Sequence, residues 1–149
     1  MTPLQQAKQI CASNGQNLTP IREAVFSILL QGAQPMSAYE ILDRYRQNQP
    51  SGAQPPTIYR ALAFLEENGL IHRMASTRQF LVCDHLGEHH AHDVTQFFIC
   101  DACGAVEESI ISHALWHEIT DQAAKIQFQV KQPSLEIHGV CRNCRTGVN

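Results

Sequence analysis

Pro56-Thr57-Ile58-Tyr59-Arg60-Ala61-Leu62-Ala63-Phe64-Leu65-Glu66-Glu67-Asn68-Gly69-Leu70-Ile71-His72-Arg73-Met74 is the stretch on which the fold turns. Ile58, Ala61, Leu62 and Leu65 recur at i, i+3, i+4 and i+7, the buried stripe of an amphipathic helix predicted from Thr57 to about Asn68. Gly69 is its stop. The same stripe turns Tyr59, Arg60 and Ala63 outward near the N-terminus of the helix. Gly69–Met74 and Gln79–Cys83 then have the composition of two strands joined by Ala75-Ser76-Thr77-Arg78. Helices followed by such a hairpin define a winged helix. In a helix-turn-helix the first turns of the last helix enter the major groove, where arginine grips guanine O6/N7 or a phosphate and an aromatic edge meets a thymine methyl. An exposed Tyr59-Arg60 pair suits both tasks, and Arg73 and Arg78 fall on or near the wing, where cations touch phosphates without specifying sequence.

Three helices are predicted upstream. Leu4, Ala7, Ile10 and Cys11 mark a short first one that ends near Asn14-Gly15, with Cys11 as a buried apolar residue. Thr19-Pro20 is an N-cap followed by proline at the first helical position; Ile21, Ala24, Val25, Ile28 and Leu29 follow as a buried stripe, and Gly32 ends it. Ser37-Ala38-Tyr39-Glu40 has the spacing of a capping box and opens a third helix, with Ile41, Leu42 and Tyr45 inward. Ser51-Gly52-Ala53-Gln54-Pro55-Pro56 is expected to be a loop.

The second half is built around Cys100-Asp101-Ala102-Cys103 and Cys141-Arg142-Asn143-Cys144. Each Cys-x-x-Cys turn aims two thiolates at one point, and two such turns supply the four soft ligands of a tetrahedral structural zinc. Neither pair opens a helix in a βαβ setting, as a thioredoxin-like redox site would. Around them, Val94–Cys100, Ala105–Ser109, Gln127–Val130 and Leu135–Val140 are predicted strands. A helix is predicted from roughly Ile111 to Lys125, burying Ala114, Leu115, Ile119 and Ala123. The fold class is therefore α+β: a winged helix over 1–83, a His-rich hinge over 84–93 and an α/β metal-binding domain over 94–149.

Four cysteines on one zinc make a closed site that accounts for folding better than for regulation. A second, mixed site can be assembled from His72 on the first wing strand, Cys83 at the end of the second, a hinge histidine and Glu108. One thiolate, two imidazoles and a carboxylate suit zinc better than the all-N/O sets that iron or manganese tolerate. The hinge offers His85, His89, His90 and His92, of which His92 ranks first and His90 second, with Asp93 behind them. His113 and His117 stand four apart on a helix, but no His-Glu-x-x-His is present and a solvated helix face explains them.

Composition narrows the function classes. The 149 residues, 44% hydrophobic, suffice for one domain or two small ones, and the net charge is −3. Splitting before Leu81 gives +2 for the first half and −5 for the second, a modestly basic DNA-facing half joined to an acidic, metal-collecting one. No run has the character of a signal peptide or membrane span, so a cytoplasmic protein is expected, in which cysteines mean metal or chemistry rather than disulfides. A zinc deaminase would need His-x-Glu and Pro-Cys-x-x-Cys; Ile99 precedes the first Cys pair and no His-x-Glu occurs, so no enzyme is expected.

Leu18-Thr19-Pro20-Ile21-Arg22, Pro56-Thr57-Ile58-Tyr59-Arg60-Ala61-Leu62, Gly69-Leu70-Ile71-His72 and Phe98-Ile99-Cys100-Asp101-Ala102-Cys103-Gly104, with the closing Cys141/Cys144 pair, together resemble the ferric uptake regulator (Fur) superfamily, most closely its zinc uptake regulator (Zur) branch. The resemblance covers nearly the whole chain. It implies a metal-activated repressor, dimeric through its C-terminal domain, on palindromic double-stranded operator DNA, with no small-molecule substrate and no membrane. Two zincs per subunit are implied: a structural one on Cys100, Cys103, Cys141 and Cys144, and a regulatory one on His72, Cys83, His92 and Glu108, with His90 and Asp93 as alternatives. Tyr59 and Arg60 match the DNA-reading pair, and Thr57, Arg22, Arg73 and Arg78 join them as DNA-binding candidates. A cysteine at 83 favours the zinc branch, since iron, manganese and peroxide sensors of the superfamily generally lack it. The hinge departs from the branch, because its spacing to Cys100 puts Asp93 where a histidine ligand is usual. A further family site needs a histidine where this chain has Pro133. A regulator sensing another metal, or peroxide or thiol oxidation, is the alternative function.

Overall fold

The computed structural model describes residues 1–49, 52–88, 94–131 and 134–147. The chain divides into two compact units, Met1–Glu88 and His89–Asn149. The division falls within the expected hinge, and Leu86 still packs against the core of the first unit.

Four helices and a hairpin make the first unit: α1 (Pro3–Ser13), α2 (Pro20–Gln31), α3 (Ala38–Asn48), α4 (Pro55–Glu67), β1 (Ile71–Arg73) and β2 (Phe80–Val82). The Ser37/Glu40 capping box forms as its spacing predicts, and Thr2 and Gln5 make a second one at the start of α1. Thr19 caps α2 in extended conformation but without a side-chain bond. α4 starts two residues before the predicted Thr57. Pro55 and Pro56 form its first turn, where a missing N–H costs nothing and the ring presets φ. α2, α3 and α4 pack on one another, and Phe26, Ile41, Ile58, Leu62 and Leu65 at their centre are fully buried. Each such side chain is worth roughly 1.5–3 kcal/mol of transfer free energy. The hairpin is antiparallel, Ile71 against Val82 and Arg73 against Phe80. Met36 exchanges backbone hydrogen bonds of 3.0 and 2.7 Å with Phe80, which anchors the wing to the segment before α3.

In the second unit β3 (Val94–Cys100) lies between β4 (Val106–Ile111) and β5 (Ser134–Gly139), antiparallel to β4 and parallel to β5. α5 (His113–Lys125) intervenes and α6 (Arg142–Thr146) follows. Two expectations are corrected. Gln127–Val130 is not a strand, because Gln127 takes left-handed φ (+58°) and its N–H and that of Phe128 turn back to the carbonyls of Ala124 and Ala123. α5 buries none of its residues: Leu115 is 45% exposed, Ala114 is exposed, and Ile119 and Ala123 are half-buried. Among the described residues this unit offers its apolar stripe no second layer.

Among the described residues α1, α4 and α5 share one helix ending. Gly15 after α1 and Gly69 after α4 adopt φ of +70° and +69°, and the following N–H groups of Gln16 and Leu70 reach the carbonyls of Cys11 and Leu65. Gln127 holds this position after α5. An L side chain is strained there by about 1 kcal/mol. Gly69→Ala is therefore expected to lower the denaturant midpoint of the first unit by an amount equivalent to about 1 kcal/mol, and Gln127→Gly to stabilise the second by up to about that much. Equal and opposite signs in matched unfolding curves are the check.

Candidate metal centre and DNA-reading face

The first Cys pair is held by backbone bonds at the end of β3. The Cys100 N–H donates to Ala105 O (2.9 Å) and the Gly104 N–H to Cys100 O (2.9 Å), closing the knuckle. The Asp101 N–H donates to Gly139 O on β5 (2.9 Å), and His138 Nδ1 donates to Asp101 Oδ1 (2.8 Å). The parallel strand thus delivers the second pair to the first, with Cys141 at the N-cap of α6 and Cys144 one turn on.

All four sulfurs lie within 4.8 Å of one another, and Cys103 Sγ is 3.8 Å from Cys141 Sγ. Four sulfurs at about 2.3 Å from a central ion in a tetrahedron are about 3.8 Å apart, so the donor set and its spacing fit zinc. No disulfide is present among the six cysteines. The Cys141 and Cys103 backbone N–H groups draw the Cys100 thiol down to about 6, and the Cys141 N–H lies 3.3 Å from Cys100 Sγ. Hydrogen bonds with Cys141 and then Cys103 push Cys144 up to about 12. One thiolate, Cys100, therefore forms easily while Cys144 holds its proton, which metal must displace to bind.

On the wing, His72 and Cys83 come together: an imidazole nitrogen and the sulfur lie within 4.8 Å. His72 is half-buried on β1. Cys83 is 3% exposed just after β2, its N–H bonded to Leu70 O (3.0 Å), and its sulfur accepts from the His85 N–H at 3.4 Å. Glu108 stands on β4 of the second unit, opposite Phe97. His90, His92 and Asp93, proposed from sequence as the remaining ligand, lie outside the described residues, as does Pro133. His113 and His117 are exposed on α5 and join no cluster of metal-ligating groups among the described residues.

The face expected from sequence to read DNA is open. Tyr59 is 58% exposed and Arg60 exposed on the second turn of α4, with Thr57 half-buried before them. Arg73 is exposed on β1, its guanidinium 6.0 Å from the Phe80 ring, and Arg78 occupies the hairpin turn with φ +58°. Arg22 on α2 is half-buried, 3.5 Å over the Phe64 ring, and donates to Asn17 O at 2.8 Å. Its stacking on α4 joins residues far apart in sequence, and no spacing signal marks it.

A winged helix carrying an exposed Tyr-Arg pair, followed by an α/β unit with a four-thiol metal cluster, defines a metal-dependent DNA-binding regulator. The chain belongs to the ferric uptake regulator family, whose model matches residues 13–138. It is 39% identical over 143 residues to the zinc uptake regulation protein of Escherichia coli K12, covering 95% of this chain and 80% of that one. It is 28% identical to the peroxide operon regulator of Bacillus subtilis, over 95% and 92% of the two chains. A solved zinc uptake regulator complexed with zinc and DNA superposes with a TM-score of 0.85 at 36% identity, over 97% of this chain and 93% of the other.

Proposed function

We propose that this chain is a zinc-responsive transcriptional repressor that binds operator DNA as a homodimer when its sensing site holds zinc, and so controls zinc uptake genes. The observation that carries this is the His72–Cys83 pair, an imidazole and a thiol within 4.8 Å, in the unit that exposes Tyr59 and Arg60. A thiolate there selects zinc over harder cations. The likeness to relatives named for zinc uptake regulation, and to one solved with zinc and DNA, supports the same reading. The protein acts in the cytoplasm and as a regulator rather than an enzyme; no described helix is long and apolar enough to cross a membrane.

Cys100, Cys103, Cys141 and Cys144 hold the structural zinc, while His72, Cys83, His92 and Glu108 form the sensing set, with His90 or Asp93 as substitutes for His92. The bound ion supplies a Lewis-acidic cross-link among these donors. The sensing ligands come from both sides of the 84–93 hinge, so occupancy favours one arrangement of the chain by the difference in affinity between its states. Tyr59 and Arg60 read base edges, and Arg60 together with Thr57, Arg73 and Arg78 also touches the backbone.

In zinc-buffered solution the purified protein is expected to select duplexes from a random pool, and chelation of labile zinc should release them while one zinc per chain stays bound. Replacing Arg60, Arg73 or Arg78 by alanine should each reduce the log–log salt slope by about 0.9. Arg60→Ala should also relax sequence preference, at a cost of about 1–3 kcal/mol. Binding indifferent to both zinc and salt rejects this function.

A further inference from the structure

α4 is useful for reading DNA only if its first turns are held at one angle, and the first unit contains a polar device at the other end of that helix. Asn68, the C-cap of α4, is 9% exposed, one of the few buried polar residues among those described. Its Nδ2 donates to Phe64 O and to Gln16 Oε1, both at 2.9 Å, and its Oδ1 accepts from Asn14 Nδ2 at 2.9 Å. The Phe64 carbonyl can only accept, so it fixes which side of the Asn68 amide carries nitrogen. Asn14 must then donate and Gln16 must accept. Every donor of a buried amide is thereby satisfied, the condition under which a polar network enforces one geometry.

Both partners lie in the segment between α1 and α2, which makes a second, independent connection to the same helix. Arg22 lies 3.5 Å over the Phe64 ring, and its Nη1 donates to Asn17 O in that segment at 2.8 Å. Phe64 is one turn beyond Arg60, so its ring lies on the neighbouring part of the helix face that Arg60 occupies. Lys8 and Glu23 tie α1 to α2 at 3.0 Å, keeping the support itself in place.

We propose that residues 14–22 brace the recognition helix, with Asn68 and Arg22 as positioning residues, and that Arg22 raises DNA affinity by stacking on Phe64 rather than by touching a phosphate. This rests on the DNA-binding function proposed above. Without the brace α4 samples orientations that cannot dock, and apparent affinity falls by the fraction of time spent in them. A stacked guanidinium with one bond to a carbonyl, or an amide with three, supports a change of about tenfold.

The test uses the full zinc-loaded chain and a duplex selected by the wild type, well below the unfolding temperature. Arg22→Ala and Arg22→Lys are both expected to weaken binding about tenfold with the salt slope unchanged, since lysine keeps the charge but not the planar stack. Asn68→Ala should weaken binding similarly, and adding Asn14→Ala to it should cost little more. Hydrogen exchange at the end of α4 should speed up in both Arg22→Ala and Asn68→Ala, a readout that needs no DNA. A slope reduced by about 0.9 in Arg22→Ala, with binding restored by lysine, makes Arg22 a phosphate contact and overturns the proposal. Lowered stability with unchanged DNA affinity also overturns it, leaving a purely structural network. If the wild type selects no duplex at all, the function fails first and the brace with it; faster exchange alone does not rescue it.

Discussion

Replacing Cys141 and Cys144 together by serine is expected to remove one zinc equivalent per chain and to unfold the second unit while the first keeps its own melting transition. The reason lies in how differently the two units are filled. The helical unit has a continuous core running from Ala7 through Val25, Phe26 and Ile58 to Ile71 and Phe80. The described residues of the second unit bury little beyond Val94, Phe97, Ile99, Cys100 and Ile111, and α5 adds nothing. So small a core does not hold a sheet together unaided. A structural zinc contributes on the order of 10–16 kcal/mol in zinc-finger peptides, far more than this core supplies. The measurement is metal content together with calorimetry: a double variant that retains protected amides in β3 and β5 at one zinc fewer rejects the role given to the cluster.

A second variant should separate sensing from folding. His72→Ala with Cys83→Ser is expected to lose the exchangeable zinc alone, keep the four-thiol zinc and the helical core, and bind operator no better with zinc than without. If the binding-competent population drops from nearly all molecules to about 1%, apparent affinity falls about 100-fold. Cys83 is buried, so a hydroxyl there carries its own cost; Cys83→Ala with His72→Ala controls for it. Zinc-dependent DNA binding that survives in both versions means that other residues sense the metal.

Much of this was legible in the sequence for identifiable reasons. The Ile58, Ala61, Leu62, Leu65 stripe reports burial directly, and all four are buried. Cys-x-x-Cys spacing encodes a local turn, so the four-thiol cluster could be assigned without knowing the sheet. The helix start at Pro55 was missed because proline in a first turn has the same local appearance as proline in a loop. Gln127–Val130 alternates like a strand, yet a non-glycine residue in left-handed conformation ends α5 there, and nothing in its type signals that. Ala114, Leu115, Ile119 and Ala123 carry a helical period that reports an apolar face but not which surface covers it. Arg22 over Phe64 and Asn68 with Asn14 and Gln16 are long-range meetings, legible only in three dimensions.

The parallel pairing of β3 with β5 has a consequence in time. Thr95 waits for Ser134, and Cys100 for Gly139, while the core cluster and the hairpin pairing described for the helical unit lie within Met1–Glu88. Pairings between distant parts of a chain form late and slowly, and domains emerging first from the ribosome fold first. The half proposed to read DNA can thus fold while the nascent chain still presents the Cys100/Cys103 knuckle without its counterpart. During that interval the two thiols lack the second pair that completes the cluster and are open to oxidants or to the wrong cation.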